Sequence, residues 1–292
     1  MKRILFIAAL ALTMVACGQK DNTNQEQPEE RKVVIPPGMP VAPTPQAPVM
    51  LENNPSSNGP TLTMEEGKPL DFSQLMGERE SLGEQAAEKI DTIRYQAEQG
   101  NPDYECLYAT CLENGWGVEA DISQALKWYK KAADHQQKTS FNSLGNLYRM
   151  GNGVKQDIQE AFRWYQKGAE AGDAQAMLNV GNCYYYGMGA EKDLAKAVKW
   201  WKDAADNENA YAMAQMGDCY YSGIGVGQDL AKAVEYLTQA VGKNVSSAQY
   251  RLGLMYYNGE GVDQDRAYSK MLMSKARDAG MKEAQDFLDR NF

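Results

Sequence analysis

The chain has 292 residues, with 30 Lys and Arg against 39 Asp and Glu, a formal charge of −9 at pH 7. That length holds one large domain or two small ones, and the acidic balance excludes the basic footprint by which proteins grip nucleic acid. A single histidine, His135, excludes a Ser-His-Asp or Cys-His arrangement anywhere else in the sequence.

In chain order, Lys2 and Arg3 precede an apolar run, Ile4 to Ala16, too short to span a bilayer as a mature helix. A basic start before a short apolar core predicts a secretory signal peptide over residues 1–16. Its end, Leu12-Thr13-Met14-Val15-Ala16-Cys17, resembles the lipobox of bacterial lipoproteins, with Met14 where leucine is usual. The resemblance implies cleavage before Cys17, acylation of Cys17, and a membrane anchor through that lipid. Cleavage after Ala9-Leu10-Ala11 is the alternative, and leaves Cys17 unmodified. Gly18, rather than Asp, after the cysteine implies by the same resemblance an outer membrane lipoprotein, here read as facing the periplasm. Loss of Lys2 and Arg3 leaves 28 basic against 39 acidic residues, a charge of −11. Partners selected by charge then present basic surfaces.

Residues 17–70 are predicted to be a disordered tether. Ten of the eleven prolines fall there, among Asn, Gln, Ser and Glu, a composition that can neither bury a core nor hold a helix. Residues 71–100 are predicted to supply a capping helix, with Leu82, Ala86, Ile90, Ile93 and Ala97 on one apolar stripe.

From residue 101 the chain repeats itself. Glycine pairs recur every 36 residues without an insertion: Gly115/Gly117, Gly151/Gly153, Gly187/Gly189, Gly223/Gly225 and Gly259/Gly261. Six residues after each first glycine stands Asp121, Asp157, Asp193, Asp229 or Asp265. In register behind these come Ala125, Ala161, Ala197, Ala233 and Ser269, then Trp128, Trp164, Trp200, Tyr236 and Leu272. Such a period with helical spacing inside each unit predicts a helical solenoid. A phosphate-binding glycine loop is needed once and follows a strand. This loop occurs five times between helices, so it is read as a turn, with the aspartate capping the following helix. Gln124 and Glu160 offer the reciprocal half of a capping box in two units.

The best copy, LGNLYRMGNGVKQDIQEAFRWYQKGAEAG, resembles the Sel1-like repeat, a relative of the tetratricopeptide repeat. Five units over residues 101–280 carry the resemblance, which implies an all-α right-handed α-solenoid of helix-turn-helix repeats. The end units depart from it, with Tyr108-Ala109 for Leu-Gly in the first and Leu272 for the aromatic in the fifth. Residues 281–292 read as a C-terminal capping helix, since Ala284 and Leu288 fall in register with Ala248 and Leu252.

Neither a cofactor nor a metal is expected. His135, near the end of a second helix, has no companion as a catalytic base or metal ligand, and the carboxylates read as caps or solvated groups. Cys111, Cys183 and Cys219 share one apolar column and are read, with Cys106, as unpaired core thiols. Variation concentrates on the first helices. One column runs Leu107, Ser143, Asn179, Gln215, Arg251; the next Thr110, Asn146, Asn182, Asp218, Leu254; the third Glu113, Arg149, Tyr185, Tyr221, Tyr257. These spacings lie along one helix face, which the resemblance implies lines a concave groove. Arg149, Asn179, Asn182, Tyr185, Gln215, Asp218, Tyr221, Arg251 and Tyr257 are therefore the candidate partner-binding residues, with packing between repeats as the alternative for the tyrosines. The function read from this is a non-enzymatic adaptor or scaffold that binds a protein or peptide. Two alternatives come from the family: an immunity lipoprotein that neutralises a phospholipase toxin, and a secreted enzyme acting on cell-wall or β-lactam compounds.

Overall fold

The computed structural model describes residues 62–64, 68–70 and 86–292. The signal peptide, Cys17 and most of the expected tether lie outside the described residues, as does Leu82. Within the expected tether, β1 (Leu62–Met64) and β2 (Lys68–Leu70) form a two-stranded antiparallel ladder with Thr63 opposite Pro69. That pairing differs from the reading of residues 17–70 as free chain throughout. An overall bias towards proline and polar residues does not register a three-residue run such as Leu62-Thr63-Met64.

Helix α1 (Ile90–Glu98) buries Ile93 and Ala97, with Ala86 just ahead of it. Five helical hairpins follow, every helix 13 residues long: α2 (Pro102–Asn114) with α3 (Ile122–Asp134), and α4 (Lys138–Met150) with α5 (Ile158–Glu170). Next come α6 (Ala174–Tyr186) with α7 (Leu194–Asp206), α8 (Ala210–Ser222) with α9 (Leu230–Gly242), and α10 (Ser246–Asn258) with α11 (Arg266–Asp278). Helix α12 (Lys282–Asn291) buries Ala284, Phe287 and Leu288 against the last hairpin. Each hairpin packs against its neighbours, and first helices of adjacent units also meet directly, α4 with α6 and α8 with α10.

The glycine loops act as the turns expected of them. The first glycine of each pair caps its helix in the left-handed region, φ 71 to 73°, and returns its N–H to a carbonyl of the last turn, as Gly151 does to Leu147. Each loop aspartate accepts a hydrogen bond from the third residue of the next helix, 2.8 to 3.0 Å away, from Gln124 N in the first repeat to Tyr268 N in the fifth. Glu160 does not complete its capping box, because its carboxylate takes Arg163 instead at 2.9 Å. The second glycine is constrained by its neighbours. It lies against the second helix of the preceding unit, so a Cβ on Gly225 would come 2.8 Å from Leu194 O, whereas one on Gly223 meets nothing closer than 3.4 Å. Gly223→Ala should cost about 1 kcal/mol for the left-handed backbone alone. Gly225→Ala should cost about 2 kcal/mol because strain and overlap combine. Equal urea midpoints for the two variants would refute this division of labour.

The junctions between units also pass through a left-handed residue every 36 positions. Gly100, Gly172 and Gly280 fill three of them, while Gln136 (φ 61°), Glu208 (φ 63°) and Asn244 (φ 60°) fill the others. The start of the following helix is capped from the column Asn101, Gln137, Asp173 and Asn209, and no side chain does this at Val245 or Met281.

In the core, each second helix sends one large side chain at a small residue of the first. Tyr165 lies on Gly145, Trp201 on Gly181, Leu237 on Gly217 and Met273 on Gly253, with no room for a Cβ at the first three. These side chains are at most 2% exposed. One residue breaks the pattern: Ser269 is fully buried and its Oγ has no hydrogen-bond partner, where the other units carry Ala125, Ala161, Ala197 and Ala233. Ser269→Ala should raise the unfolding free energy by about 1 kcal/mol by removing an unmet hydroxyl, and a lower urea midpoint would refute that.

Candidate partner-binding face

The face begins with a donor–acceptor pair inside each hairpin. Tyr129 Oη donates to Glu113 Oε2 at 2.7 Å and lies 3.0 Å from Thr110 Oγ1. One unit on, Tyr165 Oη donates to Asn146 Oδ1 at 2.7 Å; in the next, Trp201 Nε1 donates to Asn182 Oδ1 at 3.0 Å. In the second and third units the middle column is thus an acceptor for a buried ring donor, whereas in the first unit Glu113 takes that role and Thr110 donates to Cys106 O at 3.0 Å. Asn182 is 6% exposed. Its amide is turned into the hairpin rather than onto an open surface.

The fourth unit lacks the donor, since Leu237 stands where Tyr165 and Trp201 stand, yet its acceptor position holds a carboxylate, Asp218. Asp218 turns to the next unit and takes Arg251 Nε at 2.7 Å. Burial holds its carboxyl above the ordinary carboxylate value, with Arg251 pulling the other way. Arg251 is itself buried, 7% exposed, and its guanidinium carbon sits 5.1 Å from the centre of the Tyr221 ring. Tyr221 Oη donates to Glu260 Oε2 at 2.7 Å; desolvation, then Glu260, push its phenol up to about 12.

The third column is half-buried throughout and keeps ring area at the surface. Tyr185 meets Tyr186 edge-on at 4.8 Å and Trp201 at 5.2 Å. Tyr257 meets Phe287 and donates to Asn291 Oδ1 at 3.1 Å. Each tyrosine of the row carries a cation of its own chain near the ring: Lys192 at Tyr185, Arg251 at Tyr221, Arg266 at Tyr257. Arg149, at the same column, lies beside Tyr165 and lowers its phenol pKa against the stronger upward push of burial. Asn179 Nδ2 donates to Asn142 Oδ1 of the preceding unit at 2.7 Å, and Gln215 is half-buried in the same column. The structure thus brings Tyr185, Gln215, Asp218, Tyr221 and Tyr257 to one wall formed by first helices, and places Asn182 and Arg251 beneath it.

Sequence reasoning missed the stitching of the junctions. Cys106 Sγ lies 3.4 Å from Thr139 Oγ1, Asn179 reaches Asn142, Asn209 reaches Gln175, Arg251 reaches Asp218 and Tyr257 reaches Asn291, so each successive pair of units shares a side-chain contact. The signal was present as polar residues at positions otherwise open to any residue type. His135 has a structural partner, the fully buried Glu105, whose Oε2 is 2.7 Å from Nδ1. Lys131 Nζ stands 2.9 Å from Oε1 of the same carboxylate, close enough to pair though not aligned as a hydrogen bond. This is a clamp between α2 and α3.

Cys106, Cys111, Cys183 and Cys219 are unpaired and buried, and desolvation pushes each thiol up to about 12. They should be inert to an uncharged disulfide reagent at pH 8 in the native protein and react together in denaturant. Rapid native labelling of any of the four would contradict this. Among the described residues, no three His, Cys, Asp or Glu side chains converge as metal ligands, and no helix is long and apolar enough to cross a membrane.

A Sel1 repeat model matches residues 102–136, 142–173, 174–209, 210–244 and 246–281, the five hairpins described above. The chain belongs to the Sel1 repeat family. Among solved structures, the Sel1 repeat array is similar to c5321, a protective antigen of uropathogenic Escherichia coli strains with the same repeat fold. It is 31% identical over 73% of this chain and 48% of that one, with a TM-score of 0.63. A Sel1 repeat protein from Oxalobacter formigenes is 34% identical over 63% of this chain and 76% of that one, TM-score 0.61. The chain spans about half the length of the Escherichia coli antigen. The immunity protein Pa5087 of Pseudomonas aeruginosa is 21% identical over 66% of this chain and 74% of that one, TM-score 0.47, a likeness too distant to speak to function. No curated protein sequence matches the chain.

Proposed function

We propose that this Sel1 repeat protein is an outer membrane lipoprotein, anchored through Cys17 and facing the periplasm, that binds a protein or peptide partner on the wall formed by its first helices. The observation that carries this reading is the row Tyr185, Tyr221 and Tyr257, repeated at 36-residue intervals, half-buried and flanked by Gln215 and Asp218. Stiff aromatic area beside hydrogen-bonding groups is the composition of binding hot spots. These tyrosines pack against the core on one side and stay half-buried, so part of each side chain is left at the surface. The acidic chain favours a partner with a basic surface. The basic leader and the Leu12–Cys17 stretch support the anchor.

Two measurements test this. A photo-crosslinking residue in place of Tyr221 should trap a discrete partner in living cells, and the same group in place of exposed Glu235 on α9 should not. Equal trapping from both faces sinks the reading of the wall. Cys17→Ser should abolish incorporation of labelled palmitate and release the protein from membranes; unchanged labelling sinks the anchor.

A further inference from the structure

The acceptor column of the first helices has a gap in its supply of donors. Its amides in the second and third units are met from inside their own hairpins, by Tyr165 and Trp201, and in the first unit Thr110 donates to Cys106 O at 3.0 Å and lies 3.0 Å from Tyr129 Oη. In the fifth unit the column is apolar, Leu254 against Met273, and needs nothing. Only the fourth unit pairs a polar acceptor with a second helix that has no donor to offer, Leu237. The acceptor there is also the one ionised group of the column. Asn146 and Asn182 fill the same position as neutral amides, so the fold does not require a charge at this place.

Arg251 meets this carboxylate through one contact, Nε to Oδ1 at 2.7 Å. No second hydrogen bond reaches Asp218 among the described residues, and 22% of its side chain stays open to solvent. One turn further on, Tyr221 holds Glu260 by its hydroxyl. Around the Tyr221 ring there are therefore two carboxylates and one guanidinium, a surplus of one negative charge on a partly desolvated wall. Burial already disfavours the ionised form of Asp218 against the pull of Arg251, which is the mark of a carboxylate under-supplied with cations.

We infer that Asp218 is the seat for a lysine or arginine side chain of the protein partner, which enters beside Tyr221 and supplies the donor that α9 lacks. The inference rests on the first-helix wall as the binding surface and names the chemistry of the residue that enters it. The occupant is a basic protein side chain because the surplus charge is negative, the chain as a whole carries −9, and the Asp218 carboxylate stays partly open to solvent after Arg251 has paired with it and stacked on Tyr221. The entering group donates to this position from the solvent side, since Leu237 fills the inner place that Trp201 holds in the third unit. Arg251 becomes a positioning residue: held by Oδ1, it leaves the second carboxylate oxygen for the newcomer.

The test uses a hexa-arginine peptide, a hexa-citrulline peptide of matched shape without charge, and the protein from residue 18 onward. Binding is read by NMR from the side chains of residues 185, 218 and 221. Hexa-arginine should perturb residues 218 and 221 first, and hexa-citrulline should do so at least tenfold more weakly. Asp218→Asn should weaken hexa-arginine at least tenfold. That variant keeps the fold, since asparagine occupies the equivalent position in two other units, and a native far-UV spectrum confirms it. Glu191→Gln, an exposed site with the same change of charge, should shift affinity less than twofold. Binding that moves residues 185 and 221 but is unchanged in Asp218→Asn overturns the seat while leaving the wall as a binding surface. Equal losses in both variants reduce the effect to net charge and overturn it too, as does the absence of perturbation at 218 and 221.

Discussion

Replacing Trp201 with alanine should cost about 3–5 kcal/mol, the range for truncating a large buried aromatic side chain. Trp201 is 1% exposed, lies on Gly181 where no Cβ would fit, and touches the Tyr185 ring at 5.2 Å. Its loss opens a cavity in the third hairpin and strands the buried Asn182 amide, which then lacks its 3.0 Å donor. The adjacent Trp200 is half-buried, so Trp200→Ala should cost well under half as much. Urea unfolding followed at both far-UV and aromatic wavelengths checks this. Because repeat arrays lose units locally, a split transition with early loss around the third hairpin is the expected form of the damage. Comparable midpoints for the two tryptophan variants would show that the ring against Gly181 is not the central packing element.

Asp173→Asn should stabilise the protein at neutral pH and do little in acid. Asp173 caps α6, accepting from Ala176 N at 2.6 Å, but it is 5% exposed, and desolvation lifts its pKa from 3.8 to about 6 against the pull of the Ala176 and Gln175 amides and Lys138. A raised carboxyl pKa means that the folded state holds the proton more tightly than the unfolded chain. Stability from this group is therefore complete below pH 3.8 and is lost as pH climbs through 6. Over that window the loss comes to about 3 kcal/mol. Asparagine keeps the cap without a charge, as Asn209 does at the same position one unit later, accepting from Ala212 N at 2.9 Å. The gain in Asp173→Asn should thus be near zero at pH 4 and approach about 3 kcal/mol at pH 7. A gain that does not change between these two pH values would contradict the assignment.

These two predictions mark where the sequence is legible and where it is not. Period, loop glycines and the capping aspartates could be read directly, because each depends on one residue type at one backbone position: Gly115 at φ 73° and Asp121 at its N-cap are local facts. Flanking helices followed from register, as Ala284 and Leu288 repeat Ala248 and Leu252. The core aromatics could not be read the same way. Trp128, Trp164 and Trp200 stand next to Tyr129, Tyr165 and Trp201, and a step of one residue turns a side chain by about 100° around the helix. The more conspicuous tryptophan column proves the half-buried one. The caps of the first helices were missed because Asn101, Gln137, Asp173 and Asn209 share a function and not an identity.

The candidate wall shows the same limit. Spacing puts Asn179, Asn182 and Tyr185 on one face, but a face has depth, and how far the second helix covers it depends on packing across 19 positions of chain, as from Trp201 to Asn182. Arg251 is hidden where it stacks on the preceding unit, against Asp218 and Tyr221, for the same reason. Junction contacts such as Asn179 with Asn142 span 37 positions and leave no local signature.

One consequence of the inter-unit turns concerns force. Gln136, Glu208 and Asn244 hold a left-handed backbone that glycine adopts freely at positions 100, 172 and 280, at roughly 1 kcal/mol each. A repeat array pulled from its two ends carries load through every such bend in series. The bends at 208 and 244 flank the fourth hairpin at one end, where Lys243 Nζ stands 3.2 Å from Glu208 Oε2, while Asp218 and Tyr221 stand in the last turns of α8 towards its other end. Tension that opens these bends therefore acts about 15–20 Å along α8 from Asp218 and Tyr221, so the turns can give while that stretch of first helix stays folded.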